Sequence, residues 1–146
     1  MPGITVGVDG SDDSLLALDW AMREAALRKA ALTVLTVHEV AANAWTRSPI
    51  ISPGDEAADD KARQAAEEAV AKAASQLGGS QPASVTVRAV SGIPAQELVN
   101  ASADSDLVVV GSRGGGGFAR LLVGSVSSQV MHHSACPVVV VRQQAR

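Results

Sequence analysis

The chain has 146 residues and a formal net charge of −3, a length that fits a single domain. Hydrophobic residues make up 47% of it and aromatic residues only 2%, so the sequence predicts a core built from aliphatic side chains. This acidic, aromatic-poor composition lacks the basic stripe that nucleic-acid binding needs, and no apolar run approaches the length of a membrane span.

Apolar runs bounded by turn residues predict five strands, at residues 4–8, 32–40, 84–90, 107–110 and Val138–Val141. Between them, apolar residues that recur with helical period predict four helices, at residues 15–29, 55–77, 94–103 and 126–134. Ser91-Gly92 is predicted as the turn after the third strand. Residues 41–54 contain two prolines and no clean period, and connections of that length are often functional.

This order predicts an α/β fold in which one strand and one helix alternate along the chain. Strands 1, 4 and 5 are continuous aliphatic runs, which are typical of a parallel sheet covered on both faces. Right-handed crossovers then give an open, doubly wound, five-stranded parallel sheet with helices on both faces. No repeat or interdomain linker interrupts the pattern, so residues 1–146 are predicted to form one domain.

The cysteine content and the N-terminus indicate a compartment. Cys136 stands alone, which excludes an intrachain disulfide and favours a reducing environment. The N-terminus shows no basic-then-apolar signal peptide. We therefore expect a cytoplasmic protein.

The glycine-rich stretch after the fourth strand predicts phosphate binding. The strand stops at Gly111, four consecutive glycines occupy 114–117, and Gly124-Ser125 opens the fourth helix. Glycines let the backbone approach an anion closely, and a helix N-terminus offers N–H groups and a positive dipole end. The hydroxyls of Ser125 and Ser127 are further candidate donors.

The spacing separates this stretch from two common phosphate loops. It contains no lysine, which excludes a P-loop, and it follows a late strand, which argues against a dinucleotide fingerprint. The pattern that fits is Gly-x2-Gly-x9-Gly-Ser, formed by Gly111, Gly114, Gly124 and Ser125. The alternative is a surface loop followed by an N-capping serine.

The topology suggests what else meets the phosphate. Ligands bind beyond the carboxyl ends of the strands where the strand order reverses, and a split between strands 1 and 4 brings Asp9-Gly10-Ser11 beside the glycine loop. Asp9 would repel a triphosphate unless a cation bridged them, so we predict Mg²⁺ or Mn²⁺ with Asp9 as metal ligand. The alternative makes Asp9 only a turn residue. The end of the second strand, near Val37, is predicted to hold an adenine.

Two segments resemble single-domain, ATP-binding universal stress proteins: VGVDGS after the first strand and GSRGGGGFARLLVGSVSSQVMHHSACPVVVVR near the end. The resemblance implies a Rossmann-like, adenine nucleotide alpha hydrolase-like fold with strand order 3-2-1-4-5. It implies ATP with Mg²⁺ as ligands and a regulatory role in stress or energy signalling. It also implies a set of nucleotide-binding residues, namely Asp9, Gly10, Ser11, Val37, Gly111, Ser112, Arg113, Gly114, Gly124, Ser125, Val126 and Ser127.

The last strand predicts a homodimer. An unpaired aliphatic edge strand at Val138–Val141 would favour aggregation, and pairing with a second subunit about a two-fold axis removes that edge. The resemblance implies the same dimer.

Other residues with chemical potential have simpler interpretations. His132, His133 and Cys136 are metal-ligating types, but adjacent histidines point to different helix faces, so a helix end with a buried thiol is favoured. His38 and Glu39 are predicted to form a solvated strand end. Two arginines flank the glycine loop, Arg113 and Arg120, and each is either a phosphate partner or a surface residue.

The first loop raises an enzymatic alternative. Residues 9–14, DGSDDS, resemble the SGGxDS loop of ATP pyrophosphatases at four of six positions. The chain offers no separate substrate domain, no Ser-His-Asp pattern and no catalytic lysine near the phosphate loop. We therefore expect a regulatory ATP-binding protein without catalytic residues. An ATP-consuming enzyme, slow ATPase or adenylating, is one alternative, and a dimeric chaperone-like scaffold that ignores nucleotide is the other.

Overall fold

The computed structural model describes residues 3–112 and 124–143. Its strands are β1 (Gly3–Gly7), β2 (Ala31–Glu39), β3 (Ser84–Gly92), β4 (Ser105–Gly111) and β5 (Val138–Val141). Its helices are α1 (Asp12–Arg28), α2 (Asp55–Ser75), α3 (Pro94–Ser102) and α4 (Ser125–His133). Strands and helices alternate as the sequence predicts.

The five strands form one parallel sheet in the order β3-β2-β1-β4-β5. Ile4 of β1 pairs with Leu32 on one side and with Leu107 on the other, so β1 is central. The chain builds outward from β1 first towards β3 and then towards β5, and the order therefore reverses between β1 and β4. The predicted fold class and strand order are confirmed.

Alternate residues of the central strands pack against helices on opposite faces of the sheet. On one face, Val6 and Val109 pack in a buried cluster with Leu18 and Met22 of α1. On the other face, Val108 lies in a cluster that includes residues of α3 and α4. Continuous aliphatic strands are needed because both faces are covered. Within the described ranges, no helix combines the length and the apolar character needed to cross a membrane.

The structure corrects the predicted turn at Ser91-Gly92. Both residues belong to β3, where they pair in register with His38 and Glu39 of β2. The ladder continues because β2 stays extended to its last residue, and α3 begins only after Ile93, which serves as its N-cap. Pairing with a neighbouring strand outweighs the local turn preference of a Ser-Gly dipeptide.

Candidate functional site

The loop that follows β1 presents an oriented carboxylate. The chain turns at Gly10, whose φ of 83° favours glycine. Ser11 then caps α1: its Oγ accepts from the Ser14 N–H at 3.3 Å and donates to Asp9 Oδ1 at 2.5 Å, and its N–H donates to the same oxygen at 2.9 Å. The exposed Asp9 is therefore held in place by the start of α1.

A buried contact joins the start of α1 to the end of β4. Ser112 Oγ donates to Asp13 Oδ2 at 2.8 Å, and the two residues are only 2% and 6% exposed. Gly111 faces the same backbone, because a Cβ at this position would lie 2.7 Å from the carbonyl carbon of Asp13. The sequence therefore needs glycine here for the close approach of two main chains.

The N-terminus of α4 is pinned to the end of β4. The carbonyl oxygen of Ser112 accepts from the Gly124 N–H at 2.5 Å and from Ser127 Oγ at 3.0 Å. Gly124 is the N-cap residue, and α4 has no side-chain cap. The N–H groups of Ser125, Val126 and Ser127 thus form a helix start that suits an anion.

The hydroxyl of Ser127 faces the protein. Besides the Ser112 carbonyl, it contacts the Gly124 carbonyl oxygen at 3.1 Å, and the residue is buried. Its single proton is shared between these main-chain acceptors, so Ser127 would offer an anion its backbone N–H rather than its hydroxyl.

The end of β2 lies on the other side of β1 from β4, at the same end of the sheet. Val37 is partly buried and pairs with Val90 of β3. The next residue, His38, does not stand alone in solvent as predicted: its Nε2 lies 3.1 Å from Oδ1 of Asp55, the first residue of α2. Glu39 is exposed, in agreement with a solvated strand end.

Carboxylates and histidines are dispersed in the part of the chain that the structure describes. There, no group of three or more His, Cys, Asp or Glu side chains is placed to hold a metal ion. The rings of His132 and His133 are tilted by 50° with centroids 6.4 Å apart, and His132 Nδ1 lies 2.7 Å from the main-chain oxygen of Ser128. Any cation at Asp9 would therefore depend on oxygens that a ligand and water supply.

Three predicted residues lie outside the described ranges, namely Arg113, Gly114 and Arg120. Their roles beside a phosphate stay predictions. The described residues on both sides, Ser112 and Gly124, are joined directly by a hydrogen bond between main-chain groups.

Asp13 belongs to this arrangement, although hydrophobic spacing and motif patterns in the sequence do not single it out. A signal was available, because the parallel topology places the start of α1 beside the end of β4. A polar residue in that first turn is then a natural partner for the serine that follows the strand.

The family model described as "Universal stress protein family" matches residues 2–142. Among curated proteins, the chain is 37% identical over 139 residues to a universal stress protein of Mycolicibacterium smegmatis, covering 95% of this chain and 47% of that protein. The chain thus spans about half the length of the curated relatives it matches.

Solved structures show the same architecture. The universal stress protein UspA from Lactobacillus plantarum is 26% identical and superimposes with a TM-score of 0.76, with 97% of each chain covered. A universal stress protein solved in complex with cAMP is 28% identical, with a TM-score of 0.68 and coverage of 97% of this chain and 96% of that one.

Proposed function

The chain belongs to the universal stress protein family, and from this premise we propose that it binds ATP with Mg²⁺ or Mn²⁺ where β1, β4 and α4 meet. One observation carries the proposal: the uncapped N-terminus of α4 is pinned to the end of β4, next to the strand that leads into Asp9. A helix start and a fixed carboxylate at a sheet switch point are suited to a metal-bound phosphate chain.

The adenine part of the proposal draws on the end of β2 and on a similar structure. Val37 offers a partly apolar surface with main-chain groups at the same sheet edge, which is the kind of slot that an adenine ring needs. The similar protein solved with cAMP carries an adenine nucleotide. These two observations support an adenine base near Val37.

The metal part rests on the chemistry of Asp9. Mg²⁺ usually keeps several waters and binds through one or two carboxylates plus substrate phosphates, rather than in a cage made by protein alone. Asp9 is exposed and its carboxylate is oriented by two donors of Ser11. These residues fit a cation that arrives with ATP and neutralises the repulsion between Asp9 and the phosphates.

We further propose that the nucleotide is held rather than consumed, and that the bound state is a regulatory signal. Asp13, the other carboxylate near the end of β4, is buried and accepts a hydrogen bond from Ser112. That contact gives it a structural role rather than the exposed position of a base that activates water. Oligomerisation belongs to the same proposal: β5 lies at the sheet edge with four partly exposed valines, which suits pairing with a second copy.

The test is to denature the purified protein, identify any nucleotide released, and measure turnover of added ATP with Mg²⁺. About one ATP per chain with negligible turnover supports the proposed regulator. Rapid release of phosphate or pyrophosphate would establish an ATP-consuming enzyme instead. A protein that neither carries nucleotide nor binds added ATP in calorimetry would be a scaffold, and the proposed nucleotide site would be wrong.

A further inference from the structure

A hairpin that does not pack on the core follows β2. Ala42 and Pro49 form an antiparallel bridge, and the Asn43 N–H donates to the Ser48 carbonyl oxygen at 2.8 Å. Every residue from 41 to 54 is exposed. Residues 41–50 of the segment without a predicted period thus form a small hairpin with its own hydrogen bonds.

The tip of this hairpin displays an indole ring. Asn43 Oδ1 accepts from the N–H groups of Trp45 and Thr46 at 2.9 and 3.1 Å, which fixes the turn. Trp45 is 94% exposed, whereas Trp20, the other tryptophan of the chain, packs against the core. A tryptophan gains much of its stabilising effect from burial, so a fixed turn that holds one in water indicates a missing contact.

The hairpin begins at the edge of the sheet where the nucleotide is proposed to bind. The start of the hairpin is anchored by the Val40 N–H, which donates to the Gly92 carbonyl oxygen at 3.0 Å. Val40 follows Val37 by three residues, and Trp45 lies five residues further. At about 3.3 Å per extended residue, the Cα atom of Trp45 lies within roughly 17 Å of the Cα atom of Val40, so the hairpin is long enough for its tip to fold back over a nucleobase at the end of β2.

The chemistry of the tip matches a nucleotide. The indole offers a flat π face, on which any nucleobase can stack. Arg47, two residues later, is the single charged residue between 41 and 54 in a chain of net negative charge. An aromatic face and a cation on one turn suit a ligand that combines a base with phosphates.

We propose that this hairpin covers the bound nucleotide and that Trp45 stacks on the adenine base. The inference rests on the proposed function and adds a residue that determines specificity. Trp45 would favour a ligand with a base over a bare polyphosphate, while the phosphates stay with the start of α4.

Trp20→Phe makes Trp45 the sole fluorophore and provides a direct test. ATP with Mg²⁺ and tripolyphosphate with Mg²⁺ are titrated in parallel, and each is followed by fluorescence and by calorimetry. ATP is expected to quench the Trp45 emission with the Kd that calorimetry gives. Tripolyphosphate, which has no base, is expected to bind without changing that emission.

Trp45→Ala supplies the complementary measurement. Loss of a stacking contact is expected to weaken ATP binding about tenfold and to leave tripolyphosphate binding unchanged. Leu27→Ala is the matched control because Leu27 is also highly exposed, at 79%. It lies near the end of α1, just before β2 begins, and therefore at the opposite end of the strands from the proposed site. It is expected to change neither affinity.

The outcomes separate this inference from the nucleotide site itself. Two results together would overturn the inference: Trp45→Ala binds ATP with the wild-type Kd, and ATP does not alter Trp45 emission in Trp20→Phe. The hairpin would then not cover the nucleotide, while the proposed site at α4 would stand. An emission change that follows protein concentration instead of nucleotide would make a second copy the occupant and would also overturn the inference. If the wild-type protein binds no ATP, the proposed function fails and the cover fails with it.

Discussion

Ser112 Oγ donates a 2.8 Å hydrogen bond to Asp13 Oδ2, and this buried contact joins residues that lie 99 positions apart in the chain. The main-chain oxygen of Ser112 also accepts from Gly124 and Ser127 at the start of α4. A single residue thus connects the first turns of α1 and α4 at the point where the strand order reverses. The geometry of the candidate phosphate site depends on this connection.

Ser112→Ala is expected to lower the free energy of unfolding by about 1.5–3 kcal/mol, because the buried Asp13 carboxylate loses a donor. Denaturant unfolding measures the effect. Ser75→Ala is the control, since that hydroxyl donates to the Lys72 carbonyl oxygen at an exposed helix end, and its loss should cost at most about 0.5 kcal/mol. Equal losses of unfolding free energy in the two variants would show that the buried hydrogen bond stabilises the fold no more than the exposed one.

Gly111→Ala is expected to destabilise the fold and to weaken ATP binding together. The new Cβ would lie 2.7 Å from the carbonyl carbon of Asp13 and 2.8 Å from its oxygen, so α1 and β4 would have to separate at a cost of about 1–3 kcal/mol. Gly79→Ala is the control, because a Cβ there meets no atom within 4 Å. Thermal unfolding and calorimetry follow both variants, and a Gly111→Ala protein as stable as Gly79→Ala would contradict the packing argument.

Local sequence determined most of the fold. Four valines between Pro137 and Arg142 gave β5 its bounds to the residue, because a short aliphatic run flanked by proline has few alternatives. Apolar periodicity predicts that α1 starts at residue 15, three residues later than in the structure, since its first turn is polar and is fixed by the cap at Ser11. Boundaries set by capping or by a pairing partner are not visible in hydrophobic spacing.

Chain order and parallel topology predict that the loop after β1 lies beside the end of β4, and the structure shows this proximity. That a nucleotide binds there stays a prediction. Gly111 and Gly124 are predicted from the spacing of the glycine motif. Asp9 is predicted from its place after the first strand of a parallel sheet. The contact between Asp13 and Ser112 depends on which side chains meet once the sheet has closed, and no spacing rule encodes it. The inward hydrogen bond of the Ser127 hydroxyl is equally a result of tertiary packing.

The thiol of Cys136 is expected to react slowly. Burial raises its pKa, and the negative charge of Asp106 adds to this, while a backbone hydrogen bond at Val108 opposes it. The thiolate is the nucleophile, so alkylation by iodoacetamide at pH 8 should be slower in the native protein than in denaturant. A faster native reaction would contradict the raised pKa.

The same shift predicts how stability depends on pH. The folded state favours the protonated thiol of Cys136. Its contribution to stability is therefore complete below the ordinary thiol pKa and is lost as the pH rises through the raised one. Cys136→Ser removes this titration. The wild type and the variant should therefore differ in the slope of unfolding free energy against pH only in alkaline solution.

Gly124→Asp is expected to abolish ATP binding without unfolding the protein. Gly124 has φ of −73° and ψ of 168°, which a side chain tolerates, and it caps α4 without a side-chain hydrogen bond. An aspartate there would cap the free N–H groups and place a negative charge where phosphate binds, while helix stability changes by only a few tenths of a kcal/mol. Gly124→Asn caps equally well without the charge and should retain more affinity. Equal ATP binding by the aspartate variant and wild type would place the phosphates elsewhere.

Asp9→Asn tests the proposed cation, because its effect should change sign with the metal. With Mg²⁺, the variant is expected to bind ATP about tenfold more weakly, since a carboxylate ligand is lost. In EDTA it should bind ATP more tightly than wild type, because a repulsive charge near the phosphates has been removed. Asparagine keeps an oxygen that can accept from Ser11, so the cap of α1 is preserved.

Asp60→Asn is the control for that experiment, because its side chain is 68% exposed on α2. It should alter ATP binding in neither condition. Calorimetry with and without EDTA gives the four affinities, and a metal titration without nucleotide should show no binding, because no cluster of ligands was found among the described residues. If Asp9→Asn weakens ATP binding equally with and without metal, Asp9 is not a metal ligand and acts only through the loop it shares with Ser11.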